Sequence, residues 1–98
     1  MALNSRQERT RTAIFADPVR ADIPWSDIES LFRALGATTT QGNGSRVRVR
    51  LGELGQVFHR PHPERVTDKG AVRSVRTFLT SAGFAPVQDT EKIAEEES

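Results

Sequence analysis

Hydrophobic positions change their spacing along the chain, and the changes predict the order of the secondary-structure elements. Between residues 26 and 35, apolar side chains recur every three or four positions, which is typical of an amphipathic helix. Ser26 and Glu29 have the spacing of a capping box, and Gly36 is the residue type that commonly ends a helix. We predict a helix that begins at Ser26, with Trp25 before it as a packing residue rather than a surface on which bases stack.

Period-two alternation follows this helix and predicts three short strands. The first, at 37–41, is rich in threonine, which favours strands. The second, at 45–51, alternates arginine with valine or leucine, and the third covers 56–60. Glycine-containing turns at 42–44 and 52–55 connect consecutive strands, so we expect them to be antiparallel.

A second helix is predicted after the strands, from about Asp68 to Ala82. Thr67 or Asp68 would cap its start and Gly83 would end it. Because one face of the second strand is rich in arginine, both helices should cover the opposite, valine-rich face. The sequence therefore predicts an α+β fold of two layers in the order α-β-β-β-α, with an antiparallel three-stranded sheet and both helices on one of its faces.

The segments on either side of this domain differ from it in composition. Residues 1–23 begin with a polar, basic stretch that we expect to be frayed up to about residue 12, so this N-terminal extension is predicted to be partly flexible. Residues 24–85 form the predicted domain. Residues 86–98 are acidic and lack aromatic side chains, which is typical of a disordered tail.

Composition excludes several classes of protein. A chain of 98 residues has room for one small domain, and the absence of cysteine excludes disulfides and thiolate metal sites. The chain has no run of about 18 apolar residues, and its N-terminus lacks the apolar stretch of a signal peptide. We therefore expect a soluble, cytoplasmic protein with no membrane partner.

The formal net charge of +1 conceals a separation of charge along the chain. Residues 89–98 hold five acidic side chains and one lysine, whereas residues 1–88 hold 13 basic and 8 acidic side chains. Twelve of those basic residues are arginines, whose planar guanidinium group suits phosphate and carboxylate. The basic part of the chain therefore favours an anionic partner.

Three arginines of the second strand form a row on one face, because they occupy alternate positions. These are Arg46, Arg48 and Arg50. Their Cα atoms would lie about 6.6 to 6.8 Å apart, which is similar to the spacing of phosphates on an extended single strand. Such a row can follow a nucleic-acid backbone, and we predict that it binds RNA. The alternative is an ordinary solvent-exposed strand face.

Two histidines, His59 and His62, are the candidate catalytic residues, because imidazole exchanges protons near neutral pH and can act as a general base. In a regular strand His59 would share a face with Val57, most simply the buried one, and its alternative role is that of a core histidine. His62 lies between Pro61 and Pro63, where we expect it to be exposed; its alternative role is to cap a backbone group. Neither histidine has a partner at metal-ligand spacing, so no metal site is predicted.

The start of the second helix offers another position for an anion. Lys69 and Arg73 lie near this helix end, where free N–H groups and the helix dipole favour negative charge. Gly70 indicates a close approach of another group to the backbone, although Asp68 already supplies a carboxylate at the same end. Lys69 and Arg73 are therefore further predicted RNA-binding residues.

Several short motifs occur together between Pro24 and Gly83. They are Leu35-Gly36 at the end of the first helix, GNGS at 42–45, HPxRxxxKGxxRS at 62–74, and Ala82-Gly83 at the end of the second helix. In these motifs the segment resembles the HicA family, small bacterial mRNA-interferase toxins that are paired with HicB antitoxins. The resemblance implies a fold like that of a double-stranded-RNA-binding domain, RNA as the substrate, no cofactor, and a HicB-like antitoxin as the protein partner.

The chain departs from that family at one position. The family's turn motif is typically Gly-Ser-His, and its histidine is the catalytic residue, whereas this chain has Gly44-Ser45-Arg46. Arginine stays protonated near neutral pH and so cannot act as a general base. It can still bind phosphate or stabilise charge in a transition state.

These observations leave two main hypotheses for function. The first is the toxin of a type II toxin–antitoxin pair, a metal-independent endoribonuclease with His59 or His62 as its base. Arg46, Arg48 and Lys69 would neutralise phosphate charge. The second is a non-catalytic module of the same fold that binds RNA or the antitoxin, which Arg46 at the family's histidine position favours. In a third interpretation the arginines contact only an acidic protein partner.

Overall fold

A computed structural model describes residues 3–61 and 65–86 of the chain. The helices of this part are α1 (Ser5–Ile14), α2 (Trp25–Ala34) and α3 (Lys69–Ser81). The strands are β1 (Ile23–Pro24), β2 (Thr38–Gln41), β3 (Arg46–Leu51), β4 (Leu54–His59) and β5 (Val66–Thr67).

The main sheet is antiparallel and has the strand order β2-β3-β4, with β3 in the centre. Helix α2 precedes these strands and α3 follows them, so the predicted α-β-β-β-α order is confirmed. A short ribbon of β1 and β5 lies outside this sheet and was not predicted. The α+β fold is compatible with that of a double-stranded-RNA-binding domain.

The apolar core includes one face of the sheet and the inner sides of the helices. Burial alternates strictly along β3, so that Val47, Val49 and Leu51 enter the core while the arginines between them stay exposed. Four aromatic rings of the core have centres 5.6–6.4 Å apart and contact one another edge-on or tilted. These are arrangements that aromatic pairs prefer. The rings belong to Trp25, Phe32, Phe58 and Phe78. Trp25 is 4% exposed, which confirms its predicted packing role.

Helix α2 begins one residue earlier than predicted, and the predicted capping box of Ser26 and Glu29 is wrong. Its N-cap is Pro24, and no side chain caps the helix. Pro24 lies in the two-stranded ribbon, and the N–H of Trp25 donates to the carbonyl of Arg65 at 3.0 Å. A residue distant in sequence, immediately before β5, therefore supplies an acceptor at the helix start, and the local cap is not used.

The cap of α3 resolves the alternative that the sequence leaves open. Asp68 is the N-cap, and its carboxylate accepts a hydrogen bond from the N–H of Ala71 at 2.7 Å. Thr67 is buried in β5 opposite Ile23 instead. Gly83, with φ of 88°, follows the helix end as predicted, because glycine adopts this left-handed conformation without steric penalty.

The N-terminal segment is helical from Ser5 to Ile14, so the expectation of fraying up to about residue 12 is wrong. Asn4 Oδ1 accepts from the N–H of Gln7 at 2.8 Å, and Gln7 Oε1 accepts from the N–H of Asn4 at 3.0 Å. This capping box satisfies two groups that would otherwise lack partners, and Ile14 is fully buried at the other end. The division of the chain at residues 23 and 85 stays a prediction, and residues 87–98 of the predicted acidic tail lie outside the described residues.

Arg76 of α3 holds the end of α1 in place. Its guanidinium group donates to the carbonyl of Ile14 from two nitrogens, at 3.0 and 3.1 Å, and to that of Ala16 at 2.7 Å. It also lies 5.8 Å from the ring centre of Phe15, within the range of a cation–π contact. The last carbonyls of a helix lack donors within the helix. Arg76 supplies hydrogen-bond donors to the carbonyls at the end of α1.

Candidate nucleic-acid interface

The side of the main sheet that faces away from the core carries the predicted arginine row. We define the arginine face as the residues on this side, namely Thr38, Thr40, Arg46, Arg48, Arg50, Gly55, Val57 and His59. All eight are exposed, and none is acidic. The arginine face therefore presents positive charge to solvent without a carboxylate among its own side chains.

The arginines of this face have no acceptor among the described residues. The side chains of Arg46, Arg48 and Arg50 form neither a hydrogen bond nor a salt bridge with residues 3–61 or 65–86, whereas four other arginines of this region form salt bridges. A guanidinium group that has no protein acceptor keeps its five N–H donors for an anion, and phosphate accepts them in bidentate geometry.

His59 lies on the arginine face, directly across from Arg46 on the neighbouring strand. This corrects the expectation that the face shared by His59 and Val57 is buried. Val57 is 42% exposed, whereas Phe58 between them is 4% exposed. Phe58 takes the buried position because its ring removes more apolar surface from water than the valine side chain would.

A groove of about 590 Å³ lies where the arginine face meets the turn between β2 and β3. Its lining residues are Thr40, Gln41, Gly42, Asn43, Arg46, Arg48, Val57 and His59. The groove brings together three of the predicted site residues, since both arginines and the histidine belong to that set. Arg50 lies beside it and lines a neighbouring depression with Arg48 and Val57.

The turn beside this groove is stabilised by a hydrogen-bond network. The sequence did not predict this network. Arg60 donates to Gln41 Oε1 at 2.7 Å and to a carboxylate oxygen of Glu29 at 2.9 Å. The Nε2 group of Gln41 in turn lies 3.0–3.3 Å from the carbonyl oxygens of Gly42, Gly44 and Arg46. Arg60 is 19 positions from Gln41 and 31 from Glu29, so no local pattern signals these contacts.

Lys69 and Arg73 do not line the groove. Both are exposed on α3, which packs on the core side of the sheet. At the start of α3 the carboxylate of Asp68 already takes the N–H of Ala71, so the anion position predicted there holds a protein carboxylate. A Cβ added at Gly70 would meet only Asp68 Oδ1 among the described residues, at 3.6 Å, so the close approach of another group to this backbone stays a prediction.

Three further predictions concern His62, a metal site and a membrane span. His62, the second candidate base, lies outside the described residues, and its role stays a prediction. Within residues 3–61 and 65–86, no three histidine, aspartate or glutamate side chains come together in an arrangement that could hold a metal ion. The helices of this same region are too short or too polar to span a membrane.

Comparison with known proteins agrees with the motifs in the sequence. Residues 25–84 match the sequence profile of the family described as the HicA toxin of bacterial toxin–antitoxin. No match was found among curated proteins or among solved structures. Since the matched segment covers more than half of the 98 residues, the chain belongs to the HicA family of toxins of bacterial toxin–antitoxin systems.

Proposed function

We propose that this toxin binds RNA on its arginine face and cleaves it there. The observation that carries the proposal is the position of His59 beside Arg46 and Arg48 in one exposed groove. Arginines that have no protein acceptor can neutralise phosphates, and a histidine next to them can accept a proton from a reacting hydroxyl. This combination favours cleavage of a phosphodiester.

In the proposed reaction a ribose 2′-hydroxyl attacks the adjacent phosphorus. His59 takes the hydroxyl proton while the new O2′–P bond forms. The P–O5′ bond then breaks, its electron pair passes to the 5′-oxygen, and that oxygen takes a proton from water, while protonated His59 gives its proton to the hydroxide that remains. The products are a 2′,3′-cyclic phosphate and a 5′-hydroxyl end, while Arg46 and Arg48 stabilise the negative charge that the phosphate gains in the transition state.

RNA binding without cleavage is a second candidate function, and Arg46 favours it. This residue stands where the family typically has its catalytic histidine, and a guanidinium group cannot act as a base near neutral pH. In that case His59 is one more contact with RNA, and the toxin acts by occupying its target or by binding the antitoxin.

We propose further that the partner of this toxin is a HicB-like antitoxin with an acidic surface, which covers the arginine face in the cytoplasm. The face offers eight exposed residues without a carboxylate, and complementary charge favours association while like charge opposes it. The antitoxin and RNA would then compete for the same arginines. Addition of the antitoxin should release bound RNA.

A single substitution at His59 separates the two functions. If His59 is the general base, the His59→Gln variant should cleave a purified RNA about 10² to 10⁴ times more slowly than wild type, with nearly unchanged RNA affinity. The products should carry a 2′,3′-cyclic phosphate, which phosphate-specific end labelling detects.

Three other outcomes are informative. Loss of cleavage in His62→Gln but not in His59→Gln would transfer the role of base to His62. Intact RNA with the wild-type toxin, together with binding that weakens as salt is added, would establish the non-catalytic function. RNA binding that is absent at low salt would contradict both functions that involve RNA and leave antitoxin binding as the role of the arginine face.

A further inference from the structure

We propose that Glu29, Arg60 and Gln41 form a positioning relay for the turn between β2 and β3. Glu29 and Arg60 do not line the groove, whereas Gln41 does; the role of all three is to hold the turn so that Arg46 is correctly placed in the groove. The inference rests on the proposed function, because the groove matters only if it binds RNA. It assigns a functional role to a network that would otherwise be a structural contact.

Gln41 connects the relay to the backbone of the turn. Its Nε2 group lies 3.3 Å from the carbonyl oxygens of Gly42 and Arg46 and 3.0 Å from that of Gly44. The turn also closes on itself, because the N–H of Gly42 donates to the carbonyl of Arg46 at 2.9 Å, and the N–H of Arg46 donates to Asn43 at 3.2 Å. The two N–H donors of this side-chain amide are therefore shared among three carbonyls of the turn.

Arg60 determines the direction in which the Gln41 amide points. A guanidinium group has donors and no acceptor, so the oxygen of the amide must face it, in agreement with the 2.7 Å distance to Oε1. The Nε2 group is then directed towards the carbonyls of the turn. Arg60 is itself held near the turn by its backbone N–H, which donates to the carbonyl of Ser45 at 2.7 Å.

Glu29 anchors Arg60 to helix α2. Its carboxylate accepts from Nη2 at 2.9 Å and leaves Nη1 for Gln41. The Glu29 side chain is 17% exposed, so solvent and salt screen this contact less than they screen a fully exposed pair. The relay thus runs from the helical layer to the groove, of which Gln41 and Arg46 are both lining residues.

Removal of the Gln41 amide tests the relay without a change of charge. The Gln41→Met variant keeps the length of the side chain but cannot donate to the turn. Exchange of the Gly42 and Arg46 amide protons with water, measured by NMR without RNA, should become about five to ten times faster, which corresponds to the loss of about one hydrogen bond. RNA affinity should fall by up to the same factor. Unchanged exchange at both amides would overturn the relay.

A charge swap between positions 29 and 60 tests whether the ion pair orients the Gln41 amide, as a relay requires, or only joins α2 to the end of β4. In the double variant Glu29→Arg with Arg60→Glu the ion pair can form again. A carboxylate at position 60 only accepts, however, so the Gln41 amide would have to turn its oxygen towards the carbonyls. We expect the double variant to recover Tm relative to Glu29→Arg alone, with amide exchange as fast as in Gln41→Met. Recovery of slow exchange would overturn the relay.

The Asp27→Asn variant is a matched control for these changes. Asp27 lies on the same helix, is 18% exposed, and binds Arg6 at 2.9 Å, the same distance as between Glu29 and Arg60. Its replacement should leave amide exchange in the turn unchanged. Because the exchange measurement uses no RNA, it tests the relay by itself, whereas absence of RNA binding by the wild-type toxin would contradict the proposed function alone.

Discussion

Arg60 and Arg76 donate hydrogen bonds to the protein itself, whereas Arg46, Arg48 and Arg50 extend their guanidinium groups into solvent. The first two have carboxylate, amide or backbone acceptors at 3.1 Å or less. The other three have no such acceptor in residues 3–61 and 65–86 and lie on a face without acidic residues. The same residue type therefore stabilises the fold in one region and is available to a ligand in another, and the proximity of a protein acceptor decides which.

This difference predicts opposite responses to substitution. Hydrogen bonds that a charged group donates to the protein contribute about 1.5–3 kcal/mol to stability, and Arg76 is half-buried, so that water does not easily replace them. Arginines that only face solvent contribute little to stability and repel one another. Substitution of an arginine that donates hydrogen bonds to the protein should lower stability. Substitution of an arginine that only faces solvent should weaken only ligand binding.

The largest expected effect is on RNA affinity, after replacement of all three solvent-facing arginines. In the triple variant Arg46→Gln, Arg48→Gln and Arg50→Gln, the slope of log affinity against log salt should decrease by about 2 units, at about 0.7 per phosphate contact on a single strand. Affinity at 0.1 M salt should therefore fall about 100-fold. Filter binding over a range of salt concentrations measures both values, and an unchanged slope would remove the arginine face from the interface.

A smaller effect, on stability rather than on binding, is expected at Arg76. The Arg76→Met variant keeps much of the apolar stem but loses three hydrogen bonds to the end of α1, so the free energy of unfolding should decrease by at least about 2 kcal/mol, the contribution of one such bond. Urea unfolding measures this decrease, and Arg73→Met, an exposed position on the same helix, is the matched control. Full stability together with weaker RNA binding would reverse the roles that we assign to the two groups of arginines.

A weaker effect still is expected from the exposed cations of α3. Because Lys69 and Arg73 lie outside the groove, the double variant Lys69→Gln with Arg73→Gln should flatten the salt slope by less than about 0.7, the value for one phosphate contact. The same binding titration measures it. A decrease as large as that from two residues of the arginine face would show that RNA extends from the sheet around to α3.

The smallest effect concerns the exposed pair of Arg20 and Asp22. A hydrogen bond from the Arg20 guanidinium group lowers the pKa of Asp22 below its usual value. A carboxyl whose pKa is lowered by folding stabilises the fold above its unfolded pKa, and this stabilisation is lost as the pH falls through the folded value. Since solvent screens an exposed pair, Asp22→Asn should leave Tm at pH 7 unchanged within error. A clear decrease at pH 7 that disappears near pH 3 would contradict this expectation.

Much of the fold can be predicted from the sequence, because alternation and helical spacing depend on near neighbours. The strict alternation of Arg46–Leu51 identifies the two faces of β3, and Gly83 marks the end of α3. The start of α2 could not be predicted in this way, since the partner of Trp25 is the carbonyl of Arg65, 40 positions later. Helix α1 could have been predicted, because the capping box of Asn4 and Gln7 is a local pattern.

In the candidate site, too, features that depend on local spacing can be predicted, and contacts between distant residues cannot. The sequence predicts that Arg46, Arg48 and Arg50 share a face, because period two is a property of the strand itself. It does not decide the face of His59, where either Val57 or Phe58 could have been the buried neighbour. The contacts of Arg60 with Gln41 and Glu29 join the residue after β4 to β2 and α2, and no spacing along the chain indicates them.

The sequence by itself determined the family, the order of the central elements and the basic character of one strand face, since each of these depends on residue type and short spacing. Only the tertiary structure decided which arginines have protein acceptors, which side of β4 faces solvent, and how the turn beside the groove is held. The physical reason is that hydrogen-bond partners and burial depend on positions in space. Chain folding brings residues 19 to 62 positions apart into contact here, and no local pattern contains that information.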